Sequence, residues 1–130
     1  MGRTVEAHIL PGLMEPIGPY SHLTVAGDFL SISAIAGVDP KTGALVGGDI
    51  ESQTAQILKS IKIMLTEFGS DFDHLLHINV YLSDMSLFDR MNAVYADALG
   101  ASRPARSVVS VSGLPKRGAL VTMGATAVKK

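Results

Sequence analysis

The hydrophobic pattern changes period along the chain, and each change marks an element. "VEAHIL" (5–10) reads as a first strand, ended by Pro11-Gly12. "SHLTVAGDFLSISA" (21–34) reads as two short strands joined at Gly27-Asp28, a hairpin, and "DPKTG" (39–43) as a turn. From Asp49 to Phe68, Ile50, Ile57, Leu58, Ile61, Met64, Leu65 and Phe68 fall at helical spacing. Asp49 suits the N-cap and Gly69 the C′ position. "HLLHINVYL" (74–82) returns to period two, with Leu76, Ile78, Val80 and Leu82 on one face. Leu87, Met91, Val94, Tyr95 and Ala98 mark a second amphipathic helix from Asp84 to Leu99, stopped by Gly100. Strands around 105–111 and 118–128 complete the chain.

The predicted order is β-ββ-α-β-α-ββ, an α+β pattern. Two helices cover only one face of a six-stranded sheet. The last strand, "ALVTMGATAV" (119–128), is apolar at nearly every position, so both of its faces are expected to be buried. A partner copy is the simplest cover. The expectation is an obligate homo-oligomer with the uncovered sheet faces packed together.

Composition narrows the function. A chain of 130 residues with no linker or repeat is expected to form one domain, 1–130. With 47% hydrophobic and 18% charged residues, the composition is that of a folded chain. The net charge is −1 and the lysines and arginines are scattered, so a nucleic-acid partner is not expected. No run reaches the length of a membrane span, and the N-terminus lacks the apolar core of a signal peptide. After Gly2, Glu6 stands where a myristoylation signal has serine or threonine. These features predict a soluble cytoplasmic protein with no membrane partner. Without cysteine there is no disulfide, thiol nucleophile or thiolate metal site.

The chemistry concentrates in "SRPARSVVSV" (102–111). Arg106 carries a permanent charge at the mouth of a valine-rich strand, behind the stiff Arg103-Pro104 step. Its planar fork suits a carboxylate or phosphate; the other readings are an ion pair or an arginine snorkelling to solvent. Gly18-Pro19 aims Tyr20 from a rigid turn, either into a site or onto a loop. Asn92 borders the apolar face of the second helix, as a functional residue or a solvated flank. Ser33 alternates away from Leu30 and Ile32.

Other chemistries lack support. His74 and His77 fall on opposite faces if both lie on a strand, and no HExxH or acidic loop accompanies them, so no metal is expected. His8 and His22 have no visible partners. "DPKTG" and "LPKRG" are not phosphate-cradling loops, and no GxSxG elbow marks a serine nucleophile.

The ordered set "IGPYS", "GDFLSIS", "DPKTG", "GDIESQTAQILKSIKIML", "VYLSDMSLFDRMNAVY", "RPARSVVSV" and "LPKRGALV" resembles the RidA/YjgF family, the reactive-intermediate deaminases once labelled L-PSP endoribonucleases, over residues 15 to 128. The resemblance implies a chorismate-mutase-like α+β fold and a homotrimer whose inner sheets form a barrel, with ligand clefts between subunits. It implies hydrolysis of 2-imino acids to 2-keto acids and ammonia, without a cofactor. The family's carboxylate-binding arginine falls on Arg106, its cleft tyrosine on Tyr20, its serine on Ser33 and its helix asparagine on Asn92. Backbone groups at Ser107 and Val108 would hold the attacking water or the imine nitrogen.

Departures from the family pattern matter as much. "SAIAG" (33–37) stands where "SGQIP" is usual, so Ala34 replaces a glycine and narrows the cleft, and Ile35 replaces a glutamine. Val108 takes the place of a frequent cysteine. Thr122 replaces the water-orienting glutamate; an ungapped pairing would put Val121 there instead. Ala34, Ile35, Leu87 and Met91 are candidates for the pocket lining. The leading reading is a 2-imino-acid deaminase, with Arg106, Tyr20 and Thr122 at the reaction centre and Arg106, Ser33, Ala34, Asn92, Ser107 and Val108 binding substrate. The alternative is a trimer that binds small carboxylates such as 2-keto acids without turnover. A ribonuclease is disfavoured by the charge pattern and by the absence of a paired acid and base.

Overall fold

In the computed structural model, which describes residues 4–130 and so leaves Gly2 outside, the predicted order of elements is present. They are β1 (Glu6–His8), β2 (Leu23–Ala26), β3 (Phe29–Ala36), α1 (Ile50–Glu67), β4 (Leu75–Leu82), α2 (Phe88–Leu99), β5 (Ala105–Ser110) and β6 (Val121–Val128). The strands form one sheet in the order β1-β2-β3-β6-β4-β5, antiparallel except for the β4–β5 pair. Because β6 is antiparallel to both β3 and β4, those two run parallel, with α1 as their crossover; α2 is the crossover from β4 to β5. Both helices pack on one face, α1 against β3, β6 and α2. This is the expected six-stranded mixed sheet. Within one chain it is open, with β1 and β5 as its edges, and not a closed barrel.

Local chemistry accounts for the boundaries. Gly27, at φ 60°, takes the first central position of the β2–β3 turn, the position a type II′ hairpin reserves for glycine. The Asp49 carboxylate accepts from the Ser52 N–H at 2.8 Å and starts α1. At its other end Gly69 has φ 73°, and the Ser70 N–H reaches the Leu65 carbonyl at 2.8 Å, a Schellman closure. Helix α2 begins later than its pattern suggests. Asp84 caps a short 3-10 turn, Met85–Leu87, and α-helical bonding starts at Phe88. Its buried residues are Met91, Tyr95 and Leu99, with Ala98 exposed. Strand β1 is shorter than 5–10, and Val5 and Ile9 are exposed.

Two β-bulges correct the predicted faces. From Leu75 to His77, β4 advances two residues while β6 moves one, from Ala127 to Thr126. The bulge reverses the alternation, so Leu75 enters the core and Leu76 is 44% exposed. In β3, the three steps from Ile32 to Ile35 oppose only two in β6, Ala125 to Met123. Ile32 and Ile35 both reach the core, while Ser33 and Ala34 are left on the face without helices. Gly124 lies against this bulge: a Cβ there would sit 3.0 Å from the Ile32 carbonyl oxygen and 3.1 Å from the Ala34 nitrogen.

Strand β6 is central, between β3 and β4, and is buried on both faces from Val121 to Ala125. Val121, Met123, Ala125 and Ala127 join Ile57, Leu58, Ile61, Met64 and Leu65 of α1 in the core. Each fully buried large aliphatic side chain there contributes about 1.5–3 kcal/mol. The opposite face of β6 carries Thr122, Gly124 and Thr126, so the expected burial of both faces holds as far as Ala125, with threonine and glycine on this face, while Thr126 is exposed. Strand β5 is also not a buried strand within one chain: it is an edge, with Val108 half-buried and Val109 46% exposed.

Candidate functional site

Arg106 pairs in register with Ile78 and therefore points to the helix face of the sheet, toward α2. There its Nη1 donates to the Asn92 Oδ1 at 2.7 Å. The guanidinium carbon lies 4.7 Å from the Tyr95 ring centroid and 5.6 Å from that of Phe88. Phe88, Asn92 and Tyr95 share one stripe of α2, at i, i+4 and i+7, so one helix face presents an amide between two aromatic rings. Among the described residues no aspartate or glutamate forms an ion pair with Arg106. Arg90 differs: its Nε and Nη2 hold both oxygens of Glu51 at 2.8 and 2.7 Å. The corresponding edge of Arg106 makes no hydrogen bond to a described residue, and Arg106 lines a cavity of about 310 Å³ together with Asn92, Tyr95, Ala96, Arg103 and Pro104. Of the readings open for Arg106, the ion pair is excluded within the described residues.

Tyr95 was expected only as part of the apolar face, and its place in this cavity is new. It is 7% exposed, and its hydroxyl has no hydrogen-bond partner among the described residues. Burial pushes the phenol up, against the pull of the Arg106 and Arg103 charges. At neutral pH it is therefore a neutral donor beside two cations. Nothing in the helical period marks it; its role depends on α2 packing beside β5.

A second group forms elsewhere. The Tyr20 N–H closes on the Gly18 carbonyl at 2.9 Å, and its hydroxyl accepts from the Ile17 N–H at 3.4 Å. Tyr20, Met14, Ala34, Lys116 and Thr122 line a cleft of about 130 Å³. Thr122 is 7% exposed on the face without helices, whereas Val121 is fully buried in the core. Of the two possible pairings with the glutamate position, only Thr122 borders the cleft. Ser33 ties its bulge to the Tyr20 segment, its Oγ donating to the Ser21 carbonyl at 2.6 Å. Lys116, overlooked in the sequence beyond its rejected loop, lines the cleft and donates to the Gly43 carbonyl at 2.9 Å.

The remaining candidates divide by face. Ser107 points away from the helices, its Oγ 3.0 Å from His77 Nε2, while Val108 packs beside the core. Met91 is fully buried beneath α2, Leu87 packs against the core, and Ile35 is both core and cleft wall. His74 is not on β4: it lies in a 3-10 turn, with its Nδ1 2.6 Å from Asp71. His22 does have partners. Its Nδ1 accepts from the Leu10 N–H at 2.9 Å and its Nε2 faces the Met14 carbonyl, which pins the segment leading to Tyr20. Among the described residues there is no cluster of three His, Cys, Asp or Glu able to hold a metal ion, and no helix is long and apolar enough to cross a membrane.

The predicted residues thus assemble as two groups. Strand β5 lies three strand spacings from β3, roughly 14 Å at about 4.8 Å per strand. Arg106 and Asn92 are on the helix side, and Tyr20, Ala34 and Thr122 on the other.

Comparison with known proteins places this architecture. Residues 12–129 match the family model described as endoribonuclease L-PSP. A RutC family protein of Pyrococcus horikoshii is 49% identical over 102 residues, 78% of this chain and 81% of its own. The chloroplastic Reactive Intermediate Deaminase A of Arabidopsis thaliana is 34% identical over 99 residues, 76% of this chain and 53% of the plant protein. The crystal structure of E. coli TdcF with bound serine superposes with a TM-score of 0.87 at 26% identity, over 96% of this chain and 99% of that one. With its fold, its ordered motifs and a match spanning nearly its whole length, the chain belongs to the RidA/YjgF family of L-PSP-type proteins.

Proposed function

We propose that this protein hydrolyses reactive 2-imino acids to 2-keto acids and ammonia, in clefts between the subunits of a cytoplasmic homotrimer of single-domain chains. The observation that carries this reading is Arg106: a guanidinium that lines a cavity, anchored through one nitrogen and flanked by aromatic rings, with its Nε–Nη2 edge unbonded and no carboxylate partner among the described residues. Such a fork is made for a carboxylate. The serine bound to TdcF is itself an α-carboxylate ligand on a similar fold.

The two groups on opposite sides of the sheet support an assembled site. A neighbouring subunit could bring its Tyr20, Ala34 and Thr122 opposite Arg106 and Asn92. The face without helices, with Phe29 at 59% and Val109 at 46% exposure, is the surface such packing would cover. Arg106 would hold the substrate carboxylate, Asn92 would hold Arg106, and the β5 backbone at Ser107 and Val108 would meet the water or the imine nitrogen. Water adds to the imine carbon, its two protons pass to nitrogen, the carbon–nitrogen bond breaks, and the products are a keto group and ammonia. Thr122 offers a hydroxyl to position that water but no carboxylate base, a loss that typically lowers rates about 10²–10⁴-fold. An imine carries its own basic nitrogen, so orientation alone still accelerates the reaction.

Thr122 also favours a second reading, a trimer that binds small carboxylates without turnover. The experiment generates 2-iminopropanoate and 2-iminobutanoate with an amino-acid oxidase and traps free imine with semicarbazide. The deaminase reading expects wild type to suppress semicarbazone formation and Arg106→Ala not to. Saturable 2-keto acid binding with no suppression would establish the binding module instead.

A further inference from the structure

The Arg106 cavity contains a second guanidinium that the proposed reaction leaves without a task. Arg103 lines it together with Arg106, Asn92, Tyr95 and Ala96. Its Nη1 donates to the Gly100 carbonyl and, at 2.8 Å, to that of Ser102. These carbonyls follow the end of α2, so the bonds fix the side chain at the helix terminus. Its Nε–Nη2 edge makes no hydrogen bond to a described residue. Arg106 is anchored in the same manner, by Nη1 to Asn92. Two arginines on one cavity therefore each hold the protein by Nη1 and leave the Nε–Nη2 edge without a hydrogen bond to a described residue. Neither is paired with an aspartate or glutamate of the described residues, whereas Arg90 has both donors of that edge on Glu51. The buried Tyr95 hydroxyl, unpartnered, lies where both guanidinium charges act.

We infer that the cavity selects a dianion, a 2-imino acid bearing a second carboxylate on its side chain, with Arg106 gripping the α-carboxylate and Arg103 the distal one. The inference rests on the proposed reaction and adds its substrate class. A cavity of about 310 Å³ admits a short chain carboxylated at both ends. A monocarboxylate leaves the Arg103 fork unpaired, next to a like charge. Each charge-assisted pair formed in such a site is worth roughly a tenfold or greater gain in affinity.

The test measures Kd by calorimetry for 2-oxoglutarate and 2-oxobutanoate, stable keto acids with and without the second carboxylate. Wild type, Arg103→Gln, Arg103→Lys and Arg106→Ala are compared, with thermal melting to verify folding. Wild type is expected to bind 2-oxoglutarate roughly tenfold or more tightly than 2-oxobutanoate. Arg103→Gln collapses that ratio toward one, Arg103→Lys restores part of it through charge, and Arg106→Ala weakens both ligands. If wild type binds 2-oxobutanoate as well as 2-oxoglutarate, or if Arg103→Gln weakens both equally while lowering the melting temperature, Arg103 is a helix-end anchor and the inference is overturned. If neither keto acid binds wild type, the Arg106 reading falls with it.

Discussion

The cavity between β5 and α2 and the cleft between Tyr20 and Thr122 are made of different materials. The first has two arginines, an asparagine and a tyrosine, and its fixed charge is one-signed. The second has a tyrosine, a threonine, small and aliphatic side chains and one lysine whose ammonium is already bonded to the Gly43 carbonyl. The first group is mounted on an exposed edge strand and a helix, the second on a bulge and a loop held by His22 and Ser33. A strong anion grip stands apart from a weakly polar cleft with no carboxylate base. That division fits the proposed reaction, in which binding would supply most of the catalysis and each group would form half of a site.

The largest effect should come from removing the grip. Arg106→Ala is expected to lower kcat/KM on 2-iminobutanoate by about 100-fold or more, because a carboxylate no longer held in two directions loses its orientation. Oxidase-coupled semicarbazide kinetics measure it, and a folded variant that retains full rate would break the comparison at its strong half.

Mixing the halves tests whether they meet across subunits. Chains carrying Arg106→Ala and chains carrying a bulky block, Thr122→Arg, should each be inactive. Co-expressed as mixed oligomers they should regain activity, since some clefts then pair an intact Arg106 with an intact Thr122. No recovery in mixed oligomers verified by mass spectrometry would place the whole site within one chain.

Thr122→Glu sharpens the weak half. Supplying a carboxylate base should raise kcat by about tenfold or more, with KM little changed, since a general base contributes up to about 10²–10⁴-fold. Asn92→Ala should act in the opposite sense and mainly on KM, by about tenfold, because Arg106 then loses its hydrogen bond to the Asn92 side chain.

The smallest effect concerns pH. Burial holds the Tyr95 phenol above its ordinary value of 10.0. The folded chain keeps that proton where the unfolded chain releases it, so this contribution to stability is complete below the unfolded pKa and lost as pH rises through the folded one. Denaturant unfolding from pH 8 to 11 should show wild type losing stability above about pH 10 and Tyr95→Phe losing less.

Much of the architecture was legible because it is written in local patterns. The 3.6 period, Asp49 and Gly69 delimit α1 to within a residue of its observed ends. The Gly27-Asp28 step places the hairpin, and Pro104 together with the valines of β5 draws attention to Arg106. The errors have one physical origin. A bulge is a property of two strands in register, so neither the Leu75/Leu76 reversal nor the paired outward placement of Ser33 and Ala34 shows in one strand read alone. The centrality of β6 was likewise invisible. The expected burial of its two faces holds as far as Ala125, but the strands that flank it and the helix that covers it could not be read from its own residues.

The sequence by itself determined the order of elements, the helical core stripe, the family and the singular position of Arg106, because each rests on near neighbours or on ordered motifs. Only the tertiary structure decided what surrounds that arginine. Asn92 and Tyr95 on a crossover helix, Arg103 folded back on the end of α2, and Thr122 rather than Val121 in the cleft all follow from which strand lies beside which helix. Those adjacencies are set by packing between segments distant in the chain, and no local period carries them.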